Sequence, residues 1–279
     1  YWTVLKFYRP RIRIPVLNDK LKKFFSLFLP GVVGSGVIQL NIVIGTIIAS
    51  FLPVGAISHI YYADRLNQLP LAIFGIALGI VLLPNLSKAI KQSDQKTTHN
   101  IQNRSIEFSL LISLPSAIGL FILAEPIIYI LFERGAFLHE DTFYTARVLG
   151  YFALGLPAYI IIKVLVSCFF AREDTKTPLY ISLVSVISNI VLSLLLIGSM
   201  REMGIALATA ISAWINALLL YLLLFMRGFL KFDSLLIRNS IKILLSSALL
   251  IVGIFGLKGI LFDNFSANSR CNSTSGCFH

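Results

Sequence analysis

The sequence predicts an all-α fold, a polytopic transmembrane helix bundle of about seven helices. Three observations point there. Hydrophobic residues make up 57% of the 279 positions and charged residues only 13%, about half the charged share usual in soluble domains. Mean hydropathy is +0.83. The apolar residues gather in stretches of about 20 or more between charged links, the length that crosses a hydrocarbon layer ~30 Å thick. A soluble domain of this size has no single core large enough for so much apolar surface. A bilayer removes that difficulty, because lipid replaces water around the outward faces.

The stretches follow one another in order. The first covers residues 24–52, and its Pro30, Gly31, Gly34 and Gly36 predict a tilt or a bend near its start. The second covers 58–86, with charges near its beginning, and the third 107–132. Within the third, Glu125 precedes Pro126, the mark of an interrupted turn near the surface. The fourth covers 142–170, the fifth 178–197, the sixth 204–226 and the seventh 240–262. Three regions result: a basic segment at 1–23, the bundle at 24–262, and a polar tail at 263–279. The tail is rich in Ser, Asn and Cys and is expected to be a disordered end or an aberrant, truncation-derived one. No short apolar region with a cleavage site follows the basic start, and the first residue is Tyr1, so the chain reads as a piece of a longer protein.

Charge gives the orientation. The net charge is +11, and the basic residues come in blocks between apolar stretches. Residues 1–23 and the links after the second, fourth and sixth stretches hold 17 of the 24 Lys and Arg residues. By the positive-inside rule these segments face the cytoplasm, the N-terminus of the chain included. The same pattern argues for anchoring at a lipid surface and against a nucleic-acid partner. Cys168 sits in an apolar run and is expected to pack there, while Cys271 and Cys277 lie in the polar tail. None forms a metal-ligand pair.

Ionisable groups at bilayer depth are expensive, and each is a functional candidate. Asp64 and Arg65 lie near the start of the second stretch, in Tyr61-Tyr62-Ala63-Asp64-Arg65-Leu66. They read either as an interfacial ion pair beside an aromatic belt or as a cavity arginine for an anionic headgroup. Lys163, midway along the fourth stretch, is either a snorkelling cation or one that faces a cavity. Asn189 and Ser193, four apart, share a helix face, and Thr209 lies on the next stretch. Such groups glue helices together, or jointly offer oxygens to a small cation. His59, His99, His139 and His279 lack Cys or His partners at ligand spacing, and no Gly-rich phosphate loop follows a strand. No catalytic constellation, cofactor or confident metal site is therefore expected.

Four segments resemble the MurJ (MviN) family, the lipid II flippases of bacterial cell-wall synthesis. The clearest is Tyr62-Ala63-Asp64-Arg65-Leu66 running through Gln68-Leu69-Pro70 and Phe74-Gly75-Ile76-Ala77-Leu78-Gly79 to Leu83-Pro84-Asn85-Leu86-Ser87. The others are Leu131-Phe132-Glu133-Arg134-Gly135-Ala136-Phe137, Asp174-Thr175-Lys176-Thr177-Pro178, and Gly204-Ile205-Ala206-Leu207-Ala208-Thr209. They occur in the family's order, across residues 21–261.

The resemblance implies a MOP-superfamily fold of fourteen helices in two lobes, with the present stretches as helices seven to thirteen. The N-terminal half, with its own cavity arginines, would then be missing. It implies export of an undecaprenyl-linked peptidoglycan precursor, lipid II, across the bacterial inner membrane by alternating access, with membrane lipids as surroundings. Arg65 is the cavity arginine of the family that this chain keeps, with Asp64 and Lys163 beside it. Some members bind sodium; the matching positions here are Gly45, Asn189, Ser193, Ile205 and Thr209, from which both of the family's acids are gone. A site without carboxylates holds a cation weakly. Ser167 stands where relatives often carry Arg, and Lys163, one turn earlier, is expected to compensate in part. A flippase for another polyprenyl-linked oligosaccharide and a non-transporting remnant or scaffold are the alternatives.

Overall fold

The computed structural model describes residues 18–231 and 233–274, with side chains placed except at 20, 35, 38, 74–79, 255 and 257–274. Among the described residues there are eight helices and no strand. They are α1 (Asp19–Ala49), α2 (Ala56–Lys91), α3 (Gln95–Ile122), α4 (Ala124–Phe132), α5 (His139–Phe170), α6 (Lys176–Met200), α7 (Glu202–Met226) and α8 (Ser234–Thr274). Among the described residues, six of these helices, α1, α3, α5, α6, α7 and α8, contain a stretch long and apolar enough to cross a membrane.

α5 is the centre. Two thirds of its most apolar window (67%) is buried, against 17–39% for the other five spans. It packs on α2, α3, α4 and α7. Small residues allow the close α5–α7 approach: Ala158 meets Ala213 and Ala217 in one buried cluster, and Trp214 Nε1 donates to the Leu154 carbonyl at 3.0 Å. In a membrane, where apolar faces gain nothing by leaving lipid, such close van der Waals contact holds helices together. α6 folds back on α7 through a turn at the single linking residue Arg201 (φ 53°). There Gly204 is required by contact, since a Cβ would stand 2.8 Å from the Leu196 carbonyl oxygen.

The helix ends fall into two groups. One, the basic end, joins the starts of α1, α3 and α8 to the ends of α5 and α7. Arg104 holds Asp233 through one guanidinium nitrogen at 2.7 and 2.9 Å and also pairs with Glu107. Asn103 donates to the Lys231 carbonyl at 3.0 Å. Arg227 pairs with Asp174 at 2.7 Å, and Lys23 with Glu173. The far end gathers the starts of α2, α5 and α7, with the end of α1 beside α7 in a small apolar cluster of Ile48, Ala49 and Ile205.

Three details differ from the sequence expectation. The third stretch is two helices. α3 begins at Gln95, twelve residues before the expected start, because Asp94 caps it by accepting from the Thr97 N–H at 3.0 Å. It breaks at Leu123, because Pro126 has no N–H to return to the Ile122 carbonyl and its ring crowds that group. The third difference is at the C-terminus. α8 continues across residues 263–274, where composition predicted a disordered tail. Gly and Pro are absent from 260–275, so nothing in the chain stops an apolar-nucleated helix there. Cys277 and residues 1–17 lie outside the described residues, as does the side chain of Cys271. Cys168 is fully buried and packs in the core, as expected.

Candidate functional site: a polar cavity and its two flanking polar clusters

α2, α5 and α7 enclose a cavity of about 440 Å³ lined by Asp64, Asn67, Gln68, Tyr159, Lys163 and Thr209, among others. Asp64 and Lys163 reach it from different helices, 99 residues apart in sequence. Gln68 Nε2 donates to the Asp64 carboxylate. Lys163 also lines a second cavity of about 330 Å³ between α1, α5 and α6, with Gly34, Ser167 and Asn216. Ser167 donates to the Lys163 carbonyl at 2.8 Å, so the two share one face of α5.

Arg65 is not in either cavity lining. It is the neighbour of Asp64, and a helix turns about 100° per residue, so the two side chains leave α2 in different directions. The Arg65 guanidinium lies over the Tyr61 ring, 4.7 Å from its centroid, and donates to the Tyr61 hydroxyl at 2.9 Å. Both residues are exposed. The expected trio is thus two cavity residues, Asp64 and Lys163, and a cation on an adjoining open face.

The expected cation positions do come together. Asn189, Ser193, Thr209 and the Ile205 carbonyl form one cluster between α6 and α7. The Asn189 amide oxygen accepts from Ser193 at 3.5 Å and Thr209 at 3.4 Å, and Thr209 donates more closely to the Ile205 carbonyl, at 2.8 Å. Sequence reasoning missed Asn41. Its amide oxygen, on α1, accepts from Asn189 Nδ2 at 2.8 Å and ties α1 to α6. Asn41 lies one turn before Gly45, where a side chain would meet open space. Among the described residues no group of three His, Cys, Asp or Glu side chains is placed to hold a metal.

A second missed feature lies at the far end. His59 is buried, 6% exposed, and both its ring nitrogens face carboxylates. Nε2 is 3.0 Å from Asp141 on α5, and Nδ1 is 3.4 Å from Glu202 on α7. Its ring stacks on Tyr144 at 5.7 Å. Nothing near His59 in sequence signals this, because the partners are 82 and 143 residues away. A His, two acids and an aromatic ring thus join the starts of three helices.

At the basic end, Asp174 lies in the link between α5 and α6. Burial works against its ionisation, but hydrogen bonds from the Thr177 hydroxyl and N–H and the Arg227 guanidinium outweigh it and hold the carboxyl below the usual range. The arrangement offers a polar, mixed-charge cavity inside an apolar bundle.

Comparison with known proteins matches that picture. A family model described as "Lipid II flippase MurJ" matches residues 3–271. A protein of Rhizobium tropici described as a probable lipid II flippase MurJ is 44% identical over 239 residues, covering 86% of this chain and 45% of that protein. One of Rickettsia prowazekii with the same description is 47% identical over 205 residues, covering 73% and 40%. The solved structure of a lipid II flippase MurJ in an inward closed conformation superposes with a TM-score of 0.72 at 31% identity, covering 87% of this chain and 50% of that one. A MATE structure at 18% identity, TM-score 0.61, covering 83% and 54%, shares the fold. The chain spans about half the length of the curated relatives it matches. It is a helical membrane bundle that belongs to the lipid II flippase MurJ family.

Proposed function

We propose that this chain is the C-terminal lobe of a lipid II flippase, which carries the lipid-linked peptidoglycan precursor from the cytoplasmic to the periplasmic face of the bacterial inner membrane. The observation that carries the reading is the family match over residues 3–271 together with the superposition on a solved flippase. The basic end is the cytoplasmic end, in keeping with the placement of Lys and Arg. Such a lobe needs a second lobe opposite its cavity face, and the exposed Arg65 and the Asp64–Lys163 cavity then look onto the space between the two.

Transport in this scheme is binding and rocking, not bond chemistry. Arg65, pre-oriented by Tyr61, presents its guanidinium edge to phosphate oxygens, for which its planar fork is suited. Lys163 supplies a second cation one helix away and stands in for the charge absent at Ser167. Asp64 and Gln68 accept from and donate to hydroxyl and amide groups of the sugar–peptide headgroup. Neutral Asn41, Asn189, Ser193 and Thr209 hold α1 to the lobe without sodium.

The test is rescue of a flippase-depleted bacterium by the intact protein that contains this chain. Arg65→Ala and Lys163→Ala, at equal membrane abundance, are expected to lose or reduce rescue. Full rescue by Arg65→Ala removes it from the mechanism, and full rescue by Lys163→Ala removes the compensation for Ser167.

A further inference from the structure

A crevice of about 590 Å³ lies on the far side of α5 from Lys163, bounded by the end of α3, the start of α4 and the first turns of α5. Phe121, Phe143 and Tyr151 form its apolar wall, and Glu125 and Arg147 supply opposite charges at its rim. The two charges do not neutralise each other. Neither has an ion-pair or side-chain hydrogen-bond partner among the described residues. The Arg147 guanidinium instead lies over the Phe143 ring, its carbon 4.1 Å from the ring centroid. A cation–π contact uses none of the guanidinium N–H groups as hydrogen-bond donors to a carboxylate and leaves them for a planar or tetrahedral anion.

Depth says what that anion is. From Arg147 to Phe170 there are about 35 Å of continuous helix. The hydrocarbon layer is ~30 Å thick. With the charged link at Arg172–Lys176 in one headgroup layer, Arg147 therefore lies in the other. Leu154, two turns deeper on the same face and 45% exposed, is at acyl-chain depth. The exposed Trp214, whose indole N–H bonds the Leu154 carbonyl, adds an aromatic surface beside it. A charged crevice at headgroup level above an apolar strip fits a phospholipid better than a soluble solute.

We infer that this crevice binds a zwitterionic phospholipid with a primary amine, a phosphoethanolamine headgroup. Its phosphodiester sits on the Arg147 N–H groups and its ammonium on Glu125. The ammonium has three N–H donors for the acceptor-only carboxylate. A choline headgroup has none, and a glycerol headgroup has no cation, so both are weaker ligands. The acyl chains run along Leu154 and Trp214.

The experiment is native mass spectrometry of the full chain, delipidated in detergent and offered phosphatidylethanolamine, phosphatidylcholine or phosphatidylglycerol with identical acyl chains. Phosphatidylethanolamine is expected to bind about fivefold better than phosphatidylglycerol, the factor that an exposed ion pair at the upper end of its usual strength supplies, and by a smaller factor better than phosphatidylcholine, which keeps the cation and lacks the N–H donors. Glu125→Gln should bring it down to the phosphatidylglycerol level, with a smaller loss for phosphatidylcholine. Arg147→Ala should weaken all three lipids, and Arg147→Lys should restore binding in part, which separates charge from misfolding. Equal binding of the three lipids, or an unchanged preference in Glu125→Gln, overturns the assignment. Soluble phosphoethanolamine binding as tightly as the lipid overturns its membrane part. None of these outcomes bears on transport, so this inference fails or stands independently of the flippase reading.

Discussion

Removing Glu202 from the far-end cluster should destabilise the bundle by about 1–3 kcal/mol. The two ring nitrogens of His59 face the carboxylates of Asp141 and Glu202, so each acid is a hydrogen-bond partner of the buried ring. Deleting one partner of a buried hydrogen bond costs about 1–3 kcal/mol, and more where a charge is involved, because the other group is left unsatisfied. Two facts keep the figure within that range here. Asp141, with a side chain 32% exposed, remains at 3.0 Å as a second acceptor, and the contact to Glu202 at 3.4 Å is long. The assay is a double-mutant cycle of Glu202→Ala and His59→Ala, measured by reversible unfolding of the chain in mixed micelles. Residues that act as a unit couple by about 0.5–3 kcal/mol, and the upper half of that range is expected here. Amide exchange should rise at the first turns of α2 and α7 in each single variant. A coupling energy below about 0.5 kcal/mol would refute the reasoning, and the cluster would then be three independent polar residues.

Other outcomes follow from particular contacts. Gly204→Ala should cost about 1–3 kcal/mol, the usual penalty for overpacking, because its Cβ would press on the Leu196 backbone; unfolding measurements check it. Asp233→Ala should fray the start of α8, seen as faster amide exchange at residues 234–240, at a cost of about 1 kcal/mol because the pair with Arg104 is a third exposed. Replacing sodium with potassium should leave thermal stability unchanged, whereas Asn41→Ala should lower it by loosening α1 from α6. Acidification should loosen the link between α5 and α6. Asp174 is held below the usual carboxylate range, so its contribution is present above the unfolded value near 3.9 and is lost as pH falls through the lower folded value. Asp174→Asn should abolish that dependence in exchange measurements.

Much of the bundle could be read from hydropathy alone, and the reason is the bilayer. Backbone groups in lipid must bond within their own segment, so a long apolar run becomes a helix even with Pro30, Pro70, Pro115 or Pro157 inside it. The run at 142–170 is α5, and the run at 204–226 is α7, each within three residues. Helix ends outside the apolar runs were less visible. The Asp94 cap lengthens α3 in polar sequence, where hydropathy gives no signal. The cluster of Asn189, Ser193 and Thr209 was legible because i and i+4 share a face. Asn41 was not, since it lies 148 residues from its partner Asn189. The divergence of Arg65 from Asp64 was legible in principle, as neighbours on a helix never face one way. The Asp-Arg pair drew attention to itself as a unit and hid this.

The most direct measurement of the central claim is the amount of lipid-linked peptidoglycan precursor exposed at the outer surface of a flippase-depleted bacterium, read by cleavage with an externally added hydrolase. The intact protein containing this chain should restore cleavage, and its Lys163→Ala and Arg65→Ala variants should restore much less at equal abundance. Restoration by both variants at the level of the unsubstituted protein would contradict the role of these residues. No restoration by the folded, unsubstituted protein would contradict the assignment of the lobe to lipid II transport.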